Sequence, residues 1–192
     1  MLEKISTVQR IDPRVKRTRA LIEHAFNELL AEKAFQTISV QDITERAEIN
    51  RSTFYAHFSD KYALLESSIT QIFRQELERR TLSACHYSAE NLRALIVTVC
   101  DFITQANAHC KPSDSQFEIL IEKQVKQEIR ELLAYWLKKS GSTADSQRAA
   151  TAASWAIYGL ALQWSSDKKH GKAETFAAQI SPQIAAILQL MQ

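Results

Sequence analysis

Glycine and proline each occur only three times in 192 residues. Both are rare inside helices and common in turns and at strand ends. Their scarcity calls for long helices joined by few, short connections. The periodicity agrees: apolar residues recur at three- and four-residue spacings along the whole chain, with no repeat or low-complexity segment. Apolar residues make up 45% of the chain and charged ones 24%, which supplies a real core and argues against disorder. The expectation is an all-α protein of one large or two small domains.

Local signals place the helices. Asp12 can cap the first, and Pro13 at its first position lacks only an N–H that would be orphaned anyway. Val15, Ile22, Ala25, Phe26, Leu29 and Leu30 give it an apolar stripe ending near Ala34. Ser39 with Asp42 resembles a capping box for a short helix from about Val40 to Ala47. Glu48, Ile49 and Asn50 form a tight connection, and Asn50 suits the cap of a third helix, Arg51 to Phe58. Ser59 and Asp60 cap a fourth, from Lys61 to about Leu82, carrying Leu64, Leu65, Ile69, Ile72, Phe73 and Leu77. Four more helices follow: Ser88 to about Ala108, Phe117 to about Lys139, Asp145 to Trp164, and a last one from Phe176 to Met191. Gly141 breaks the sixth, and Pro182 should kink the last or mark a restart capped by Ser181.

Three short N-terminal helices, two of them joined by a three-residue turn, form a helix-turn-helix pattern. Residues 1–60 then make an N-terminal DNA-binding domain, and residues 61–192 a C-terminal helical domain. Val40, Ile43, Ala47, Ile49 and Phe54 supply a small core. Phe54 and Phe58, four apart, share its inner face. Arg51, Ser52, Thr53, Tyr55 and His57 are left on or near the outer one. The second helix of such a motif enters the major groove, where an arginine can fork onto guanine. Lys61, in the first turn of the next helix, would favour a phosphate, and Arg14, Lys16 and Arg17 would grip the flanking backbone. On that reading Lys61→Ala lowers the salt slope of DNA binding by about one unit.

The stretch from Arg14 to Leu65 resembles the DNA-binding domain of the tetracycline-repressor (TetR) family. The resemblance rests on FQTISVQDITERAEINRSTFYAHFSDKYALL, Phe35 to Leu65, above all on Asn50 to Phe58 followed by Lys61, Leu64 and Leu65. It covers about a quarter of the chain. It implies phosphate contacts for Ser39, Thr53, Tyr55, His57 and Lys61, and base-facing positions for Arg51, Ser52 and sometimes Tyr55. Two positions depart from the family pattern: Glu48 stands where glycine is usual in the turn, and Thr44 where alanine is usual beneath it. A left-handed backbone at Glu48 would cost about 1 kcal/mol.

The resemblance also implies that the C-terminal helices dimerise and bind a small ligand. Alanine-rich Ala149–Ala161 would allow close helix approach, so an interface is expected from Ala149, Ala152, Ala153 and Ala156, with Ile184 and Leu188 of the last helix. Candidate pocket liners are Phe102, Phe117, Tyr135, Trp136, Trp155, Tyr158 and Trp164. Few charges fall on the apolar faces, which hints at an apolar or aromatic ligand. The expected partners are a near-palindromic DNA operator, a second copy of the chain and that ligand. The ligand would act by population shift, with the fourth helix as lever.

Other classes find less support. Net charge is +2, so any basic footprint is local: five of the ten residues from Arg10 to Arg19 are basic. There is no phosphate-binding glycine loop, no His-Glu-x-x-His and no nucleophile motif, so an enzyme is not expected and no cofactor is implied. Cys85, Cys100 and Cys110 are odd in number and make no disulfide framework. Cys85-His86 and His109-Cys110 invite a metal reading, but adjacent helical residues point about 100° apart and do not chelate easily, so no metal is expected. The N-terminus lacks an apolar signal core and no run reaches about 20 apolar residues. A cytoplasmic protein with no membrane partner is expected. Two alternatives remain: a helical adaptor that has lost DNA binding, and an activator in place of a repressor.

Overall fold

The computed structural model describes residues 12–80, 86–109, 115–141, 146–167 and 169–188. Among them are eight α-helices, one 3-10 turn and no strand. The chain divides into two compact units between Leu64 and Leu65, inside a helix and four residues beyond the expected boundary.

The first unit holds α1 (Pro13–Glu32), α2 (Val40–Arg46), α3 (Arg51–His57) and the opening turn of α4 (Lys61–Arg80). Asp12 caps α1 by accepting from the Arg14 N–H at 2.8 Å, with Pro13 in the first position. Ser39 and Asp42 close a reciprocal capping box on α2: the Asp42 N–H donates to Ser39 Oγ, and the Ser39 N–H donates to Asp42 Oδ2 at 2.7 Å. Asp60 caps α4, its carboxylate accepting from the Tyr62 and Ala63 N–H groups at 2.8 Å. Asn50 occupies the cap position of α3, but its side chain makes no capping bond. A 3-10 turn, Phe35–Thr37, stands between α1 and α2 where periodicity gave no signal. Ile22, Phe26, Phe35, Ile38, Ile43, Phe54, Phe58 and Leu64 are buried. Val15, expected on the apolar stripe, is exposed, about two turns before the first buried residue, Ile22.

The second unit contains the rest of α4, with α5 (Ala89–His109), α6 (Ser115–Lys139), α7 (Ser146–Ser166) and α8 (Ala173–Ile187). α7 packs against α5, α6 and α8. Its Ala150, Ala153, Ile157 and Ala161 face inward, where small side chains let helices approach closely. Gly141 ends α6 in the left-handed conformation, φ 73°, as a helix-terminating glycine should. α8 neither breaks nor restarts at Pro182. Proline removes the N–H that Ala178 would accept, and the Ser181 hydroxyl donates to that carbonyl instead at 3.4 Å. Among the described residues no helix is long and apolar enough to cross a membrane. None of their His, Cys, Asp and Glu side chains group in threes that could hold a metal. Cys100 is buried, and burial pushes its thiol up to about 12. Cys85 and Cys110 lie outside the described residues, as do Leu82, Asp145 and Met191 from the expected helix ends.

Glu48 is the non-glycine residue with positive φ among those described, at 53°. The turn between α2 and α3 needs this: the Ile49 N–H reaches back to the Thr44 carbonyl at 3.0 Å, which closes the end of α2. Thr44 sits buried beneath, its hydroxyl donating to the Gln41 carbonyl. A side chain at φ 53° strains the backbone by about 1–2 kcal/mol, partly offset by the entropy a glycine would lose on folding. Glu48→Gly should therefore raise stability by about 0.5–1 kcal/mol in urea unfolding. An unchanged or lower midpoint would show the strain to be absorbed elsewhere.

Candidate nucleic-acid interface

α3 presents a divided surface. Phe54 is fully buried and Phe58 nearly so. Their rings lie 5.9 Å apart. Arg51, Ser52 and Tyr55 are exposed, and Thr53 and His57 are half-buried. None of these five side chains makes a hydrogen bond or ion pair among the described residues, so their donors point to no internal partner. Tyr55 is 49% exposed, with its ring edge-on to Phe54 at 5.5 Å. An aromatic hydroxyl so displayed is held by packing and open to a ligand. On α1, Arg14, Lys16 and Arg17 are exposed, and their side chains make no hydrogen bond or ion pair among the described residues. Arg19 is not available in the same way: it pairs with Glu23 at 3.0 Å and lies over the Phe58 ring at 4.6 Å, tying α1 to the end of α3.

Two expected phosphate contacts have other occupations. The Ser39 hydroxyl donates to Asp42 Oδ2 at 2.7 Å as part of the capping box. Hydrogen bonds from Ser39, and Lys33 beside it, hold the Asp42 carboxyl well below the usual carboxylate range, at about 2. A carboxylate so firmly charged disfavours a phosphate alongside. Lys61 donates to three backbone carbonyls, Phe35 at 3.1 Å, Gln36 at 3.1 Å and Ile38 at 2.8 Å, and its ammonium sits 4.6 Å over the Phe35 ring. An ammonium has three donors. All three are engaged as the side chain stands, so it staples the 3-10 turn to α4 where a phosphate contact was expected. Sequence spacing placed Lys61 in the right turn of the right helix but could not show carbonyls from 26 residues upstream converging on it.

Ion pairs away from α3 complete the unit. Arg46 of α2 makes a two-pronged pair with Glu32 of α1, both contacts at 2.8 Å, and approaches Glu28. Its guanidinium lowers the Glu32 pKa. Sequence reading missed this pair because the partners lie 14 residues apart on different helices.

Residues 22–67 match the family described as "Bacterial regulatory proteins, tetR family". Those residues, from within α1 into the start of α4, thus carry a tetR-family DNA-binding domain. It is 36% identical over 77 residues to the HTH-type transcriptional regulator YxbF of Bacillus subtilis, a match covering 40% of this chain and 20% of that one. A second HTH-type transcriptional regulator, from Haemophilus influenzae, is 30% identical over 93 residues, 47% of this chain and 45% of its own. The matches thus span less than half the length of these curated relatives. A solved tetR-family regulator from Streptomyces coelicolor shares the fold at 16% identity, with TM-score 0.57 over 91% of this chain and 96% of that one. The fold is therefore that of tetR-family proteins in both units, whereas the sequence likeness concentrates in the first.

In the second unit the expected pocket liners divide between core and surface. Trp136 is fully buried and Tyr158 nearly so, as core. Phe102 packs edge-on against Phe73, and Trp164 stacks on Phe176 and meets the His170 ring at a tilt. Phe117 is half-buried. Tyr135 and Trp155 are exposed, Trp155 by 62%, because they fall on the outer faces of α6 and α7. Of the expected interface residues, Ala153, Ile184 and Leu188 lie in the chain's own core and cannot meet a second copy. Ala152 is exposed, and Ala149 and Ala156 are half-buried.

The staple makes a prediction. Lys61→Met should lower the thermal midpoint, because charge-assisted bonds to those carbonyls are lost, while the salt slope of DNA binding stays unchanged. A slope reduced by about one unit, with stability intact, would return Lys61 to the phosphate.

Proposed function

We propose that the chain is a homodimeric, sequence-specific DNA-binding regulator, a repressor released from a near-palindromic operator by a small ligand. The observation that supports this most is α3. Its five polar side chains have no hydrogen-bond or ion-pair partner among the described residues, while two buried phenylalanines fix which way the helix faces. Arg51, Ser52 and Tyr55 are assigned to base edges. Thr53 and His57 are assigned to phosphates, and Arg14, Lys16 and Arg17 of α1 to the flanking backbone. Ser39 and Lys61 position the motif. The protein acts on transcription from the cytoplasm and is not an enzyme.

A two-fold operator needs a two-fold protein. The outward side of α7 supports such an interface: Ala149, Ala152 and Ala156 are joined by Gly159, whose missing side chain leaves open space. Ala178, Pro182 and Ala186 of α8 are likewise exposed. Small residues on two neighbouring helices allow a four-helix packing across the axis. Ligand control then requires tighter ligand binding to the DNA-free form. α4 is assigned as the lever, since the chain passes from one unit to the other within it. In the second unit, Arg74 of α4 clasps the buried Glu128 of α6 at 2.6 Å.

Selection of random duplexes by the purified protein at two salt concentrations tests the reading, with variants measured on the enriched site. A two-fold symmetric site weakened by salt is expected. Arg51→Ala should cost about 1–3 kcal/mol and relax one base preference, while Arg14→Ala weakens all sequences alike and lowers the salt slope by about one. Weak, sequence-blind binding that Arg51→Ala leaves unchanged would favour the adaptor reading, in which Glu48 marks a lost interface.

A further inference from the structure

The second unit carries a cationic groove that none of the roles above uses. It lies between α6 and α7, encloses about 380 Å³, and is lined by Ile119, Lys123, Lys126, Arg130, Thr151 and Trp155 among others. Lys123, Lys126 and Arg130 follow one another at three- and four-residue spacings, so one face of α6 presents three cations. One lining carboxylate, Glu122, opposes them, and it is already paired to Lys126 at 2.7 Å. Lys123 leans to Glu66 at 3.1 Å. Arg130 is half-buried and has no hydrogen bond or ion pair among the described residues.

The walls are apolar and unusually bare. Ile119 is 63% exposed and Trp155 62%, among the most exposed large apolar side chains described. Lys126 Nζ stands 3.5 Å from the centre of the Trp155 ring, which holds the ammonium by its electron-rich face. An unpaired guanidinium, a held ammonium and two exposed apolar side chains around one cavity make a receptor with two requirements. One is an anionic head with paired oxygens for Arg130 and its neighbours. The other is a flat apolar body to cover Ile119 and Trp155.

We propose that this groove binds a small organic anion with a phosphate or carboxylate head joined to an aromatic or similarly flat apolar body. Arg130 clamps the head by paired N–H donors. Lys123 and Lys126 add charge, and Trp155 covers the body while keeping Lys126 in place. The scarcity of charge on the apolar faces had pointed to an apolar or aromatic ligand held between the helices. The groove instead points to a charged ligand held at the surface of α6 and α7. The assignment deepens the ligand-responsive part of the proposed function, yet binding measured without DNA stands or falls independently of operator recognition.

The test is a titration of the full chain with phenyl phosphate in the absence of DNA, read by calorimetry and tryptophan emission. Inorganic phosphate and benzyl alcohol serve as probes lacking the ring or the charge. Saturable binding of phenyl phosphate is expected, tighter than either fragment, weakened roughly tenfold or more by Arg130→Gln. In Trp155→Phe the emission change should vanish while the calorimetric signal persists, because Trp136 and Trp164 lie outside the groove. Both substitutions fall on exposed or half-buried side chains, and an unchanged thermal midpoint confirms an intact fold. Absence of saturable binding by the wild-type chain, or equal affinity in Arg130→Gln, overturns the assignment. Equal affinity for inorganic phosphate and phenyl phosphate overturns the role of the apolar walls.

Discussion

One ammonium group organises the N-terminal unit. Lys61 donates all three of its hydrogens to the carbonyls of Phe35, Gln36 and Ile38 while resting on the Phe35 ring. Those carbonyls end a 3-10 turn, where partial negative charge accumulates and a cation is favoured. The consequence is geometric. Ile38 leads directly into Ser39, whose capping box sets the start of α2, and α2 leads through the turn at Glu48 into α3. The first residue of α4 thus fixes the segment that begins the helix-turn-helix. Arg19 over Phe58 holds the other end of α3 from α1. Between these anchors, Arg51, Ser52 and Tyr55 face outward, with no hydrogen-bond partner among the described residues competing for them.

Local signals made the N-terminal unit legible. Asp12-Pro13, Ser39 with Asp42, and Asp60 each act within three residues, and each caps the helix that spacing assigned to it. The Phe54 and Phe58 pair told inside from outside on α3 for the same reason. Asn50 shows the limit of the rule: a favourable residue type holds the cap position without making the bond. What could not be read were contacts closing over long sequence separations. The carbonyls that receive Lys61 lie 23 to 26 residues away, and the Arg46–Glu32 pair spans 14. The 3-10 turn was also hidden, because three residues are too few to show a period.

In the C-terminal unit, helices were legible and sites were not. Ranking aromatic residues by type cannot separate core from surface, because large apolar side chains also stand on the outer faces of these helices. Trp136 and Trp155 have the same side chain, yet one is sealed and the other is 62% exposed. Alanines on α7 met the same difficulty: Ala152 and Ala153 are neighbours about 100° apart around the helix, so one is open and the other is core. Charge on α6 was a signal that the sequence reading left unused. The cations of α6 recur on one face, although only the structure shows Trp155 and Ile119 walling the space beside them.

The account rests on α3 being the element that meets DNA. The most direct test replaces Tyr55, and separately Ile119 on α6, with a photo-reactive benzoylphenylalanine, and irradiates each full-length protein on its selected duplex. Cross-linking to bases of the symmetric half-sites from position 55, with none from position 119, is the result the account predicts. No cross-link from position 55 on a duplex that remains bound would contradict it, since the outward face of α3 would then not be the surface that holds the DNA.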